Sequence, residues 1–306
     1  YEDSHIFFDF GSEYNPKAPV QPENLQELLD ENLVPYLDNM FDPSIPLKGY
    51  ESKENKFKNT AVFLSHMHLD HSKIVNYLNP EVPLYTLEGT KSLLNTLNIN
   101  NDFLFPLHEN KGKNTRDIVG VKDNEVIEVG KIKVKVMPVD HDAYGACGLL
   151  IETPDLVISY TGDIRLHGYR KEDTLNFCKE SENCDVLLIE GVSVSFQEFD
   201  EVREDEISNE PELIEKINEI VKGNPNKQIT FNYYISNIER ILNIIKTNQR
   251  KVVLSAYYSY VLKEATGYES YYYSLDNKDY GLNKDLEVNF DTLLNDEGDF
   301  FWQLDT

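Results

Sequence analysis

The stretch AVFLSHMHLDHSKIVNYL at residues 61–78 decides how this chain is read. Its opening residues, Ala61 to Leu64, are an apolar run of the kind that enters a buried strand. The run stops at Ser65, and His66, His68, Asp70 and His71 then fall within six residues. In extended backbone, side chains at i and i+2 share a face, so His66 and His68 point at one place. Asp70 and His71 open the next helix, and the spacing predicts helical residues over 72–78. Imidazole nitrogen and carboxylate oxygen suit a borderline ion such as zinc. A lone histidine is usually structural, but here three of the chain's seven histidines crowd one aspartate.

Two later segments extend the pattern. His141 lies in MPVDHDAYGACG, directly after the run IKVKVMPV at 132–139, and so stands at a strand terminus. Asp163 lies in LVISYTGDIRLHG, just past an apolar run, where Gly162 lets the backbone turn and present the carboxylate. Further strands are expected at 5–11, 61–65, 125–130, 148–153, 156–163 and 185–191. Helical spacing marks 23–33, 88–97 and 171–180. Pro154-Asp155 between two apolar runs predicts a hairpin. Antiparallel pairing therefore disfavours a purely parallel doubly wound fold.

The chain has 306 residues with 29 basic and 54 acidic side chains, for a net charge of −25. Such a surface repels polyanions, so a polyanionic substrate needs a local positive centre. Hydrophobic residues make up 40%, too many for a disordered polymer. No stretch reaches the roughly 18 apolar residues of a membrane span, and no secretory leader pattern opens the chain. Three cysteines, Cys147, Cys178 and Cys184, give no disulfide framework and are expected to be small buried apolar groups in a reducing cytoplasm. The acidic segment at 197–212 reads as a linker. Beyond it, helical patterns at 211–222 and from Ile238 alternate with the runs QITFNYYI and KVVLSAYY. That order predicts a parallel pair joined by a crossover, hence a second α/β domain.

With these residues in place, the sequence resembles the metallo-β-lactamase superfamily, whose signature is His-x-His-x-Asp-His, a lone His, then an Asp. YTGDIRLHG at 160–168 and LLIEG at 187–191 resemble its β-CASP subgroup, which includes RNase J-like nucleases. The resemblance implies an α/β fold: an αββα sandwich over 1–195 and a partial β-CASP-like domain over 196–306. It implies that His66, His68 and His141 hold one zinc, and Asp70, His71 and Asp163 a second, with Asp163 bridging. Asp70 and Asp163 then act in catalysis, Asp70 orienting a hydroxide bound between the metals. Asp9 in FFDFG is either a structural support or a turn former, and Glu190 either the subgroup's acidic motif or an ordinary strand end. The family's late His has no counterpart after His167, and the resemblance implies closing strands beyond FFWQLDT.

The reading this favours is a zinc-dependent phosphodiesterase acting on RNA in the cytoplasm, with no membrane partner and a second copy of the chain as a candidate partner. The same metal pair also suits a small ester, lactone or thioester, and a third reading is a non-catalytic metal scaffold. A flavo-di-iron enzyme fits less well, because that branch carries Glu where His68 stands. His167 either faces substrate or lies in a solvent loop, while His5 and His108 read as structural or surface groups. Arg165, Arg170, Lys171, Lys111, Lys113 and Arg116 are candidate phosphate contacts or scattered surface cations. The tyrosines of YYYSLDNKDY read as packing.

Overall fold

The run that begins at Thr60 becomes a buried central strand of a parallel sheet. In the computed structural model, β1 (His5–Phe8), β2 (Thr60–Phe63), β3 (Leu84–Leu87) and β4 (Val119–Val121) pair in that order, all parallel. The structure describes residues 1–12, 17, 21–50, 58–109, 112–191, 207–275 and 278–304. It divides into two compact units: Tyr1–Ile164 with Glu172–Glu190, and Arg165–Lys171 with Gly191–Thr306.

In the first unit a second sheet follows, ordered β5 (Glu125–Val129), β6 (Ile132–Pro138), β7 (Cys147–Glu152), β8 (Val157–Tyr160) and β9 (Val186–Leu188). It is antiparallel except at β8 and β9. The expected hairpin is present, with Glu152 opposite Val157 and Leu149 opposite Tyr160. Alternation decides which residues meet. Ile132, Val134 and Val136 on β6 and Cys147, Leu149 and Ile151 on β7 face Ala61, Phe63 and Leu87 of the first sheet in one buried cluster. Each such side chain contributes about 1.5–3 kcal/mol on burial, so this interface between the sheets is the main adhesive of the unit.

Helices cover the outer faces. α1 (Leu25–Asp30) buries Leu25, Leu28 and Leu29, and α2 (Leu69–Ser72) is a single turn. α3 (Glu88–Leu97) buries Leu93, Leu94 and Leu97 and packs on β3 and β4. α4 (Lys171–Glu180) inserts Phe177 among Met137, Val139, Ala146 and Leu150 on the far side of the second sheet. The layering is helix, sheet, sheet, helix.

The helix expected at 72–78 is broken. It is α2 followed by a 3-10 turn at Val75–Tyr77, because buried Asn76 donates its amide to the carbonyls of Phe105 and Asn114. The cysteine expectation holds for Cys147, but Cys178 is exposed and Cys184 half-buried.

The second unit contains α5 (Glu210–Gly223), β10 (Ile229–Phe231), α6 (Ile238–Thr247), β11 (Lys251–Ser255), α7 (Ala256–Thr266), β12 (Tyr271–Tyr273), α8 (Phe290–Leu294) and β13 (Phe300–Gln303). All four strands are parallel, in the order β10, β13, β11, β12. β10 and β11 are therefore parallel members of one sheet but not neighbours, since β13 lies between them. Both are also shorter than the sequence suggests: Asn232 ends β10, and Ala256 begins a helix. Most of the acidic segment at 197–212 and the boundary near 195 lie outside the described residues.

Candidate metal centre

The motif histidines sit where β2 runs out. Asp9 N–H donates to Phe63 C=O at 2.8 Å and Leu64 N–H to Tyr85 C=O at 2.8 Å, after which the chain turns through Ser65 to α2. There the N–H groups of His71 and Ser72 both return to the carbonyl of His68, at 3.0 and 2.9 Å. Gly11 lies against this turn so tightly that a Cβ would fall 1.9 Å from the carbonyl oxygen of Asp70. On the second sheet, Cys147 N–H donates to Ser65 C=O at 2.9 Å, bringing the β6–β7 connection and His141 to the same corner. Gly162 has φ +56°, and a Cβ there would press within 2.8 Å of the Ser65 side chain. That turn swings Asp163 in.

His66 Nε2 lies 3.1 Å from His68 Nδ1, and His141 Nε2 lies 3.2 Å from the same atom. Nitrogen ligands about 2.0–2.1 Å from a tetrahedral ion stand roughly 3.3 Å apart, so the three rings already have the spacing a single ion imposes. Asp163 turns one oxygen to each side. Its Oδ2 is 3.8 Å from His66 Nε2 and 3.9 Å from His141 Nε2, while its Oδ1 is 3.4 Å from His71 Nε2. Asp70 Oδ2 is 3.5 Å from that same His71 nitrogen. Two donor sets result, His66, His68, His141 and Asp163, and Asp70, His71 and Asp163, sharing one carboxylate.

The electrostatics of the corner favour added positive charge. His66 is completely buried, and burial, then repulsion from His71, His141 and His68, holds its pKa well below the ordinary value. Burial also opposes charge on His71, but Asp163, Asp70 and Asp9 outweigh it and push its pKa up to about 12. His71 bonding keeps the Asp70 carboxyl below its ordinary range, and the same partner overcomes the burial of Asp163 and lowers it too. Three carboxylates around one imidazole make a site that holds a cation, whether proton or metal.

Asp9 is the hub behind the ligands. It accepts from Ser65 N–H at 2.7 Å, Ser65 Oγ at 2.9 Å, His71 Nδ1 at 2.8 Å and the Tyr160 hydroxyl. A His held at Nδ1 by a carboxylate presents Nε2 in a fixed direction. Burial, then Asp9, raises the Tyr160 pKa, so its hydroxyl stays a donor. Glu190 accepts Ile164 N–H at 3.0 Å, steadying the loop beyond Asp163.

Asp142 escaped the sequence reading. Its Oδ1 lies 3.2 Å from His141 Nε2 and 3.5 Å from His68 Nε2, is buried, and has no hydrogen-bond partner. Ser65 and Tyr160 were equally silent, although Ser65 adjoins the motif.

Other candidates lie elsewhere. Arg165 belongs to the second unit, where it pairs with buried Glu210 at 3.2 Å. The Arg116 guanidinium donates to the carbonyl of Val82 at 2.6 Å, and burial lowers its pKa to about 10, so it is a structural clamp. Lys113 pairs with Asp117, and Lys111 lies outside the described residues. His167 is exposed, and its carbonyl accepts Glu210 N–H at 2.8 Å.

A family model for the beta-lactamase superfamily domain matches residues 40–214. The chain belongs to the metallo-β-lactamase superfamily. Among members with curated descriptions it is similar to Ribonuclease J of Mycoplasma pneumoniae, 27% identical over 207 residues, which is 66% of this chain and 34% of that protein. Ribonuclease J of Mycoplasma genitalium is 26% identical over the same shares. The chain thus spans about a third of the length of these relatives. A crystal structure of a protein of unknown function from Enterococcus faecalis V583 is 45% identical, with a TM-score of 0.94 over 100% of this chain and 72% of that one. This member of the metallo-β-lactamase superfamily therefore shares its fold, including the second unit, with a solved protein. No helix among the described residues is long and apolar enough to cross a membrane.

Proposed function

We propose that the chain carries the catalytic centre of a two-zinc phosphodiesterase acting on RNA. The observation that carries this reading is the split orientation of Asp163, with Oδ2 toward His66 and His141 and Oδ1 toward His71. A carboxylate so placed would serve both ions when they are bound. His66, His68 and His141 would hold the first, and Asp70 and His71 the second, which leaves open positions for water and substrate. When bound, divalent ions supply an activated water at neutral pH and an electrophile for a phosphoryl oxygen.

The protein's own groups do the rest. Asp70, with a 59% exposed side chain, stands at the open side and accepts a proton or hydrogen bond from the attacking water. Asp9, fixed by Ser65 and Tyr160, keeps Nε2 of His71 aimed inward. The similarity to Ribonuclease J supports RNA as the substrate, and a local positive centre reconciles that polyanion with a chain of net charge −25. We read the second unit as the β-CASP-like domain of that subgroup, over 196–306.

The test is hydrolysis of bis(p-nitrophenyl) phosphate and of a 5′-labelled RNA, with and without chelator. The proposal expects chelator-sensitive cleavage of both and a loss of at least about a thousandfold in Asp163→Asn with unchanged melting. Turnover of esters, lactones or thioesters alone would move the substrate class, and chelator-resistant cleavage would overturn the metal mechanism.

A further inference from the structure

Asp142 stands at the metal corner, yet neither donor set contains it. The fold fixes its loop. Thr90, fully buried in α3, donates its hydroxyl to the Gly145 carbonyl at 2.8 Å. Gly145 has φ +83°, and a Cβ there would fall 2.3 Å from the Thr90 backbone nitrogen, so only glycine lets the loop lie this close to the helix. Val139 N–H donates to Ala146 C=O at 3.0 Å, Ala146 N–H to Ala143 C=O at 3.2 Å, and Asp140 N–H to the Thr174 hydroxyl of α4 at 2.8 Å. The loop is thus tied to α3, to α4 and to itself on both sides of Asp142.

A histidine that offers one ring nitrogen to an ion carries its proton on the other, and a metal-binding imidazole nearly always gives that N–H to a carboxylate, a backbone carbonyl or water. His71 turns Nε2 to the ligands, and its Nδ1 meets Asp9 Oδ2 at 2.8 Å. His66 also turns Nε2 inward, and its Nδ1 meets Ser65 Oγ at 3.0 Å, a hydroxyl that itself donates to Asp9 at 2.9 Å. His68 is reversed. Its Nδ1 is the nitrogen 3.1 Å from His66 and 3.2 Å from His141, so Nε2 is its outer nitrogen. Asp142 Oδ1, a buried oxygen without a hydrogen-bond partner, lies 3.5 Å from that Nε2. The same oxygen is 3.2 Å from His141 Nε2, but that nitrogen faces Nδ1 of His68 and offers its lone pair to the same ion, which leaves His68 as the donor. Asp9 therefore backs His71, and Asp142 occupies the corresponding place behind three imidazoles that bring no charge of their own.

We propose that Asp142 is the positioning residue of the three-histidine site. It accepts the Nε2–H of His68, holds that ring with Nδ1 inward, and adds negative charge beside the ion that His66, His68 and His141 would hold. The inference rests on the metal reading of this corner, and not on RNA as the substrate.

The experiment is a zinc titration of the full chain against a competing chelator, beside imidazole nitrogen and proton NMR of the zinc-loaded protein at one pH. Asp142→Asn keeps the shape of the side chain and removes its charge. It should weaken the ion that His68→Ala removes about tenfold, and Asp142→Ala should weaken the same ion about a hundredfold. Affinity for the other ion and melting of the metal-free chain should not change. The spectrum should place the His68 proton on Nε2, and that proton signal should move upfield in Asp142→Asn. A proton on Nδ1 of His68, an unmoved Nε2 proton, or equal weakening of both ions would overturn the proposal. Zinc bound equally well by the wild type and both variants would remove Asp142 alone, whereas a wild-type chain that takes up no zinc would overturn the metal reading and this inference with it.

Discussion

The carboxyl ends of β2 and β11 make an instructive pair. Each terminates a buried parallel strand at a serine, Ser65 in one case just past the strand and Ser255 in the other at its last residue, and each leads into a helix. After Ser65 come imidazoles and carboxylates, whose facing lone pairs and negative charges demand a cation. After Ser255 come Ala256 and tyrosines, and the unpartnered atoms beside them, Ser255 Oγ and Gln303 Nε2, are uncharged. The backbone scaffold is alike and the side-chain chemistry is not. Side-chain chemistry at the strand end, not the sheet, decides what each edge can hold.

The second unit's buried Glu210 is paired within that unit, and this contrast can be broken first. Glu210 is 2% exposed and receives Arg240 Nη2 at 2.6 Å, Arg240 Nε at 2.9 Å, Arg165 at 3.2 Å and Asn237 at 3.3 Å. Glu210→Gln leaves two guanidinium groups short of their anion and should cost about 3 kcal/mol or more, read by denaturant unfolding. Burial raises the Glu210 pKa, but the Arg240 bond and charge outweigh it and leave it lowered from 4.5. A lowered native pKa means the stabilisation is complete above 4.5 and is lost as pH falls through the native value. The acid limb of melting temperature against pH should therefore flatten in Glu210→Gln; an unchanged limb would show that the pair is not what acid breaks.

A smaller effect sharpens the first unit's side of the comparison. Asp9 has φ +61°, a conformation Asn also tolerates, so Asp9→Asn keeps the backbone. It weakens the acceptor behind His71, and metal affinity in a chelator competition should fall about 10–100-fold with little change in melting. Wild-type affinity would reduce Asp9 to a turn former.

Much of the metal corner was legible because the donors cluster. His66, His68, Asp70 and His71 sit within one strand exit, and His141 and Asp163 each follow an apolar run that could be seen without the fold. Asp142, Ser65 and Tyr160 were not legible: each is an ordinary polar residue until the two sheets bring it to Asp9 or His141. Segments at 84–87 and 119–121 were too short to announce strands. KVVLSAYY reads as one β-prone run, yet Ala256, Ser259 and Leu262 are buried at helical spacing, so tertiary packing turned its second half into α7. No local pattern could show that FFWQ enters between β10 and β11, since that pairing depends on contacts about 50 and 70 residues away.

The most direct test of the central claim is elemental analysis of metal bound to the full chain after dialysis with zinc, beside His68→Ala. The account predicts two ions per chain, with the variant losing the ion held by His66, His68 and His141. No bound metal in the wild type, or the same stoichiometry in His68→Ala, would contradict it.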